Sequence, residues 1–393
     1  MRGTLRSIPW AVVHRRRLPT ALQCRRGLRI VFGAAARPHK SKGPGEDAYV
    51  ADAGLGLAGV ADGVGGSKTG PQVDPGAFSR RLLAWCHRHV EEGADAATAL
   101  ERARLSVRGD EVAERGGAAT VLLARLAGDT LEFANLGDSV GFLLRPASRQ
   151  MTVTRADDGD VVPDAQVTTE SEGDDTEGEE APQQAAPAPQ RAPQRAVVFY
   201  PRAVLRTREQ AYYFNCPYQM ASGDDEEPSG LASCEYDAVS ATARVGDVVV
   251  LATDGLTDNV HNEIVERVVL ALIPTLWSAA ARHDTLWAHD DPAREQLRAA
   301  VTDLSDDALA FEPVSSVLTE LASRLADEAV TTYEDPQVET TPFAHEARAE
   351  GLTHFSGGKE DDVTVVAGLI VDDEAYVTAA DEARLDNFGE YGL

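Results

Sequence analysis

The clearest pattern along the chain is a series of short apolar runs that each begin or end at an aspartate. Asp47 opens the strand-like run 47–53, and Asp62 closes the next run, 57–62, with glycines between the two. This spacing predicts a β-hairpin with a tight turn centred on residues 54 and 55. Its pairing puts Asp47 opposite Asp62 at the open end of the hairpin.

A second group of aspartates adjoins two apolar runs that are far apart in sequence. Residues 248–253 predict a strand that delivers Asp254 at its C-terminal end, and Asp361 and Asp362 stand just before the strand-like run 363–371. If these strands are antiparallel, their carboxylates meet at one edge. Grouped carboxylates repel one another, and a hard cation with oxygen ligands is the usual remedy. The sequence therefore favours Mg²⁺ or Mn²⁺ over zinc.

Helical periodicity separates the strand-like runs. Asp74 followed by Pro75 predicts an N-cap and the first residue of an amphipathic helix that continues to Val90. A second helix is expected at about 262–273. A third has one apolar face, formed by Val314, Leu318, Leu321 and Leu325. We expect all three helices to pack on the sheets.

The candidate site residues extend from residue 46 to residue 362, so we expect one catalytic domain over residues 38–393. An insertion at 156–196 interrupts it: its first part has eleven acidic residues and no base, and its second part is rich in Pro, Gln and Ala. Such a segment is predicted to be disordered, as a solvated loop or as a contact for basic partners. A second, peripheral insertion is expected at 274–313.

The N-terminal segment has a different composition. Residues 1–37 contain nine Arg and neither Asp nor Glu, with apolar residues interspersed. This composition is typical of a mitochondrial transit peptide, which places the protein in the mitochondrion, with the matrix as the expected compartment. The alternative is a basic arm that binds nucleic acid.

Net charge limits the partners of the remaining chain. The full chain has a formal net charge of −27, and loss of the nine arginines would make the mature form still more negative. Such a surface repels nucleic acid and anionic lipid, and no apolar stretch reaches the length of a membrane span. Four scattered cysteines favour reduced thiols over a disulfide framework. We expect a monomer with neither nucleic-acid nor membrane partners.

Four short motifs occur in order along the chain: Gly-Val-Ala-Asp-Gly at 59–63, Asn-Leu-Gly-Asp-Ser at 135–139, Leu-Ala-Thr-Asp-Gly-Leu-Thr-Asp-Asn at 251–259 and Gly-Gly-Lys-Glu-Asp-Asp-Val-Thr-Val at 357–365. With this set the chain resembles the type 2C, or PPM, family of metal-dependent serine/threonine protein phosphatases. It is most similar to the mitochondrial branch, given Gly-Val-Gly-Gly at 63–66 and Tyr-Phe-Asn-Cys-Pro-Tyr-Gln at 213–219. The resemblance covers roughly residues 45–371.

The resemblance implies an α+β fold, a four-layer α-β-β-α sandwich of two antiparallel sheets flanked by helices. It also implies two Mg²⁺ or Mn²⁺ ions bridged by the attacking water. Asp62 would bridge both ions, the Gly63 carbonyl would bind one, and Asp254 and Asp361 would bind the other. Asp47 and Glu46 would hold metal-bound waters, and Asp138 would be an outer-shell or third-metal residue.

Three positions depart from the family pattern. Val64 stands where many relatives have a histidine that could act as general acid. Lys42 replaces an arginine that clamps the substrate phosphate, and lysine offers a point charge without the bidentate fork. Asp362 stands where relatives have an asparagine. Its added negative charge could tighten metal binding, or the side chain could face solvent.

The resemblance thus implies hydrolysis of phosphoserine and phosphothreonine on mitochondrial proteins. Two alternatives come from other classes. A phosphatase that forms an aspartyl-phosphate needs Asp-x-Asp, and Val64 occupies the place of the second acid. A catalytically impaired relative would bind phosphoproteins as a regulatory module, an alternative kept open by Val64 and Lys42.

Overall fold

The computed structural model describes residues 27–64, 74–155, 161–163, 194–221, 235–281, 313–372 and 380–393. Their core is a pair of antiparallel sheets. The first sheet has the order β1 (Leu28–Arg37), β15 (Val363–Asp372), β14 (Val248–Ala252), β7 (Val140–Arg155) and β8 (Val161–Pro163), and β9 (Gln194–Arg206) also pairs with β7. The second has the order β13 (Asp237–Thr242), β6 (Thr130–Leu136), β5 (Val121–Ala127), β3 (Leu57–Ala61), β2 (Ala48–Asp52) and β16 (Leu385–Asp386).

Short strands and helices complete the description. The short strands form the pairs β10 (Ala211–Tyr213) with β11 (Cys216–Pro217), and β4 (Ala118–Ala119) with β12 (Met220–Ala221). The α-helices are α1 (Pro75–Glu91), α2 (Ala96–Ser106), α3 (Asp254–Thr257), α4 (Asn262–Ala281), α5 (Val314–Glu334) and α6 (Pro342–Ala349). Short 3-10 helices are formed by Val107–Gly109, Ala113–Arg115 and Gly389–Tyr391.

Three apolar clusters separate four layers. One cluster lies between the two sheets and includes Val60, Phe133 and Val366. A second packs α1 and α2 against the outer face of the second sheet. The third packs α4 and α5 against the outer face of the first sheet. The structure confirms the expected α+β sandwich.

The central strands are apolar at nearly every position because both of their faces are covered. In β15, Val365 and Leu369 belong to the cluster beneath the helices, whereas Val366 and Ile370 point between the sheets. The same alternation holds in β14. These near-continuous apolar runs therefore fix the strands at the centre of the first sheet and hold their ends, where the aspartates lie, in defined positions.

The expected helix signals are largely confirmed. The Asp74 carboxylate accepts a hydrogen bond from the Ala77 backbone N at 3.1 Å and caps α1. The four apolar residues expected on one face of α5 are buried. The second helix is longer than expected, since α4 continues beyond residue 273 to Ala281. Its Leu276 is fully buried against the first sheet. The helix continues past Pro274, although a proline removes one backbone hydrogen bond.

The domain boundary expected at residue 37 is wrong. Residues 28–37 form β1, which pairs with β15 along its full length, from Leu28 opposite Asp372 to Arg37 opposite Val363. Gly33 lies directly against α5, where an added Cβ would be 2.2 Å from the Thr319 backbone N. This strand is part of the sandwich, and the rest of the expected leader, residues 1–26, lies outside the described residues.

Both insertions are shorter than expected. Residues 161–163 pair with β7 as β8, and residues 194–196 belong to β9, because the long β7 strand offers backbone partners to both. Residues 274–281 belong to α4. The remaining parts of the insertions, 156–160, 164–193 and 282–312, lie outside the described residues. None of the helices that the structure describes is both long and apolar enough to span a membrane.

Close packing at β1 generates a stability prediction. Gly33→Ala should lower the free energy of unfolding by about 1–3 kcal/mol, because the new methyl group would overlap the backbone of α5. Gly109→Ala is the matched control, since its Cβ would have no atom within 4 Å. Denaturant unfolding of both variants measures the difference. Equal stability of the two variants would contradict the packing of β1 under α5.

Candidate active site

The predicted hairpin brings its two aspartates together. β2 and β3 pair in the expected register, with Ala48 opposite Ala61 and Tyr49 opposite Val60, so Asp47 and Asp62 adjoin the same end of the hairpin. Both are buried, at 4% and 8% exposed. The Asp62 backbone is held by Thr120, whose hydroxyl accepts from the Asp62 N at 3.2 Å and whose N donates to the Asp62 carbonyl at 2.9 Å.

The second sheet end is assembled from distant segments, as the apolar runs predicted. β14 and β15 are antiparallel, with Ala252 opposite Val365, so Asp254 follows β14 where Asp361 precedes β15. Gly255 permits this approach, because a Cβ there would be 1.9 Å from the Asp362 carbonyl oxygen. The two acidic segments are therefore in backbone contact.

Two hydrogen-bonded links join the ends of the two sheets. The Thr253 hydroxyl donates to Asp47 Oδ2 at 2.8 Å. Asp362, 2% exposed, accepts backbone N–H groups from His39 at 2.6 Å and from Glu46 at 2.7 Å. Asp362 therefore does not face solvent; it anchors the 39–46 loop to the first sheet.

Lys359 inserts its ammonium among the carboxylates of the first sheet. Its Nζ donates to Asp254 Oδ2 and, at 2.9 Å, to Asp258 Oδ2, and lies 3.5 Å from Asp361 Oδ2. Burial alone would lower the pKa of this ammonium, but the three carboxylates outweigh it and raise the pKa above its usual value. Lys359 therefore stays charged at neutral pH.

Lys42 occupies the opposite side of Asp361. Its Nζ lies 2.6 Å from Asp361 Oδ1, 3.0 Å from Glu46 Oε2 and 3.4 Å from Asp362 Oδ2. Burial opposes the charge here too, yet the carboxylates raise the pKa of Lys42. Each oxygen of Asp361 thus has its own lysine, and the pKa of Asp361 falls below its usual value despite burial.

The remaining carboxylates are less well compensated. Burial, with neighbouring carboxylates adding to it, raises the pKa of Asp47 to about 8 and the pKa values of Asp62 and Asp138 well above their usual range. Burial also raises the pKa of Asp258 to about 7, although Lys359 opposes the shift. The site therefore has more carboxyl groups than its two lysines can balance, and the carboxyls with raised pKa values favour their protonated forms.

Three carboxylate oxygens in this cluster suit a hard cation. Asp47 Oδ1, Asp138 Oδ1 and Asp254 Oδ1 are buried and have no hydrogen-bond partner among the described residues. Oxygen-only donors of this kind match the ligand preference of Mg²⁺ and Mn²⁺. As the side chains stand, no three His, Cys, Asp or Glu residues in the described ranges form a group that could hold a metal ion. The three carboxylate oxygens thus fit such an ion by their chemistry, and lysine ammonium groups lie among the same carboxylates.

The other predicted site residues lie around the cluster. Glu46, 6% exposed, contacts Lys42 from the second sheet's side. Gly63 forms an isolated bridge with Ala119 directly after Asp62. Asp138 lies close enough to Asp254 and Asp258 for their charges to shift its pKa. Val64 is the last described residue before the gap at 65–73, and its backbone N donates to the Ala118 carbonyl at 2.8 Å.

Sequence reasoning missed the polar residues that support the aspartates. The sequence motifs contain Lys359 and Asp258, but nothing in the local pattern assigns a role to either. Thr120 and Thr253, both fully buried, lie one residue outside apolar strands. Charged or hydroxyl residues adjoining the aspartate motifs are the signal that could have identified them.

Comparisons of the sequence with curated proteins find protein phosphatases. The chain is 28% identical over 343 residues to the probable protein phosphatase 2C 71 of Oryza sativa subsp. japonica, a match covering 87% of this chain and 52% of that protein. It is 26% identical over 325 residues to the protein phosphatase PTC7 homolog of Xenopus laevis, covering 80% and 77% of the two chains. The chain spans about half the length of the first curated relatives it matches. No family model matches it.

Among solved structures, the chain is similar to the photosystem II phosphatase PBCP. The match has a TM-score of 0.53 and 22% identity, and covers 86% of this chain and 98% of that one. This likeness shows the fold. The first curated relatives that the chain matches are themselves named as type 2C protein phosphatases.

The raised carboxylate pKa values predict a loss of stability with rising pH in the metal-free protein. A raised folded-state pKa means that the folded state binds the proton more tightly than the unfolded state does. The contribution of these protonated carboxyls to the free energy of unfolding is therefore fully present below about pH 4. It is lost as pH rises through the values near 7 and 8 of Asp258 and Asp47. The melting temperature in chelator should fall by several degrees between pH 5 and pH 8.5.

Asp47→Asn provides the control, because its amide cannot ionise and the pH slope should become shallower. Scanning calorimetry at several pH values measures both proteins. A melting temperature that is constant or rises across this range in the unsubstituted protein would contradict the buried carboxylate cluster.

Proposed function

We propose that this chain, whose relatives support the type 2C phosphatase family, is a metal-dependent protein serine/threonine phosphatase. The observation that carries the proposal is the set of three buried, unpartnered carboxylate oxygens, on Asp47, Asp138 and Asp254. They belong to an acidic cluster drawn from both sheets, whose motifs occur in the family's order. Buried carboxylates without partners are costly to stability, which favours a function that uses them.

We propose that Asp62, the Gly63 carbonyl, Asp254 and Asp361 bind two Mg²⁺ or Mn²⁺ ions, with Asp47 and Glu46 beside them. Bound there, the ions would supply Lewis-acid chemistry, lowering the pKa of a water and neutralising charge on phosphoryl oxygens. Burial supports this role, because charges interact more strongly where water is excluded. Asp138 would add a further carboxylate beside these ligands, as an outer-shell or third-metal residue.

The chain's own residues would orient the phosphoester. Lys42 has 25% of its side chain exposed beside Asp361, so its ammonium can meet a phosphoryl oxygen from solvent. Val64 has no ionisable group that could donate a proton, so the leaving alkoxide would take its proton from water. Asp362 and Thr253 would keep the two sheet ends aligned, because each bonds across them. No protein nucleophile is needed in this scheme.

Phosphorylated mitochondrial proteins are the proposed substrates. The formal net charge of −27 favours phosphoprotein segments that carry basic residues near the phosphate. The proposed mitochondrial location rests on residues 1–26, which contain seven arginines and no acidic residue.

The enzymatic proposal predicts loss of turnover on neutralising either central aspartate. Asp62→Asn and Asp361→Asn should each reduce Mn²⁺-dependent release of phosphate from a phosphothreonine peptide by at least about 100-fold, because each removes a charged ligand. The assayed protein should begin at Gly27 so that β1 is retained. Glu101→Gln on α2, where Glu101 pairs with Arg104, is the matched control and should keep full activity.

The outcomes separate the three functional classes. Turnover that survives in Asp62→Asn would contradict the proposal. Binding of the phosphopeptide without turnover in the unsubstituted protein would favour the regulatory module. A phosphoenzyme linked through Asp62 would favour the aspartyl-phosphate class.

The location is tested by a fluorescent fusion of the full chain in cells. The full chain should localise to mitochondria, and a chain starting at Gly27 should not, because the start at Gly27 removes seven of the nine arginines while leaving β1 intact. Identical distributions of the two fusions would contradict a targeting role for residues 1–26.

A further inference from the structure

Lys359 is largely buried among acidic residues, and its ammonium contacts several of them. Its ammonium donates to Asp254 and Asp258, lies 3.5 Å from Asp361 Oδ2, and is 5.8 Å from the centre of the Phe343 ring. Only 18% of the side chain is exposed. Three carboxylates and an aromatic face thus surround one positive charge.

The backbone of Lys359 is fixed by a buried asparagine. Asn259 Oδ1 accepts from the Lys359 N at 2.9 Å, and Asn259 Nδ2 donates to the Lys359 carbonyl at 2.9 Å and to the Gly255 carbonyl at 2.8 Å. Asn259 directly follows Asp258 in the segment that carries Asp254. The element that supplies two of the carboxylates therefore also fixes the loop that supplies the ammonium.

The contacts of Lys359 overlap with the expected ion ligands. Asp254 offers one oxygen to Lys359, and its other oxygen is buried without a partner in the described part of the chain. Asp361 is shared between Lys359 and Lys42. A divalent ion that drew on Asp254 and Asp361 would meet the Lys359 ammonium at the same carboxylates, and two cations at such short range repel one another.

We infer that Lys359 is an internal cation that competes with a divalent ion for Asp254 and Asp361. The ammonium keeps this half of the acidic cluster assembled in the metal-free protein, and ion binding requires it to withdraw toward Asp258 and Phe343. Lys359 is thus a positioning residue that sets the affinity for metal. The inference rests on the proposed function only in requiring that the site binds a divalent ion.

The test is calorimetric titration of Mn²⁺ into the metal-free full chain and its variants. Lys359→Met removes the competing charge and should bind Mn²⁺ about tenfold more tightly or better than the unsubstituted protein. Lys359→Arg keeps the charge and should show no such gain. Lys40→Met is the control for net charge, because Lys40 is exposed and its ammonium pairs with Glu334.

The melting temperatures of the variants, with and without Mn²⁺, check that they fold. Removing the ammonium leaves buried carboxylates uncompensated, so Lys359→Met should melt at a lower temperature than the unsubstituted protein without Mn²⁺ and gain more on adding it. Lys359→Gln, which keeps a polar side chain but removes the charge, is the second variant if Lys359→Met is poorly folded. It should show the same gain in affinity.

The result that would contradict only this inference differs from the result that would also contradict the proposed function. If folded Lys359→Met and Lys359→Gln bind Mn²⁺ no more tightly than the unsubstituted protein, the competition is disproved while metal binding stands. If neither they nor the unsubstituted protein bind Mn²⁺, both the inference and the metal-dependent function fail.

Discussion

Buried negative charge must be compensated in this protein, and that requirement governs how the two sheets meet. Carboxylates from both sheets converge at one end of the sandwich, where burial makes their mutual repulsion costly. Two lysines balance part of this charge, mainly around Asp361, and protons balance another part, as the raised pKa values of Asp47 and Asp62 indicate. The charge that remains is what the proposed divalent ions would neutralise.

The rigid sandwich holds these carboxylates close together. Strands covered on both faces keep their ends in place, so a carboxylate at a strand end cannot move away from its neighbours. Asp362 and Thr253 bond across the gap between the sheets and hold the two ends in register. The apolar layers therefore supply the rigidity that the acidic cluster needs, and β1 contributes by closing the edge of the first sheet beside α5.

Local patterns in the sequence predicted the hairpin and the convergence of the aspartates, whereas the four-layer sandwich was predicted from the resemblance to the type 2C family. Apolar runs ending at Asp62 and Asp254 fix strands and their ends, and the glycine turn fixes the hairpin register. The sequence did not reveal β1, because arginines at both ends of an apolar stretch have the composition of a targeting segment as well as of an edge strand. Nor did it reveal the role proposed for Lys359, because its hydrogen-bond partners Asp254 and Asp258 lie about a hundred residues away and reach it only through tertiary packing.

Metal-dependent chemistry at this site requires that the acidic cluster binds hard divalent ions. Anomalous X-ray diffraction from crystals grown with Mn²⁺ is the decisive experiment, because the signal locates manganese without reference to activity. Anomalous peaks are expected within ligand distance of the carboxylates of Asp62, Asp254 and Asp361. Absence of peaks there in crystals saturated with Mn²⁺, with these side chains ordered, would disprove metal binding by the cluster.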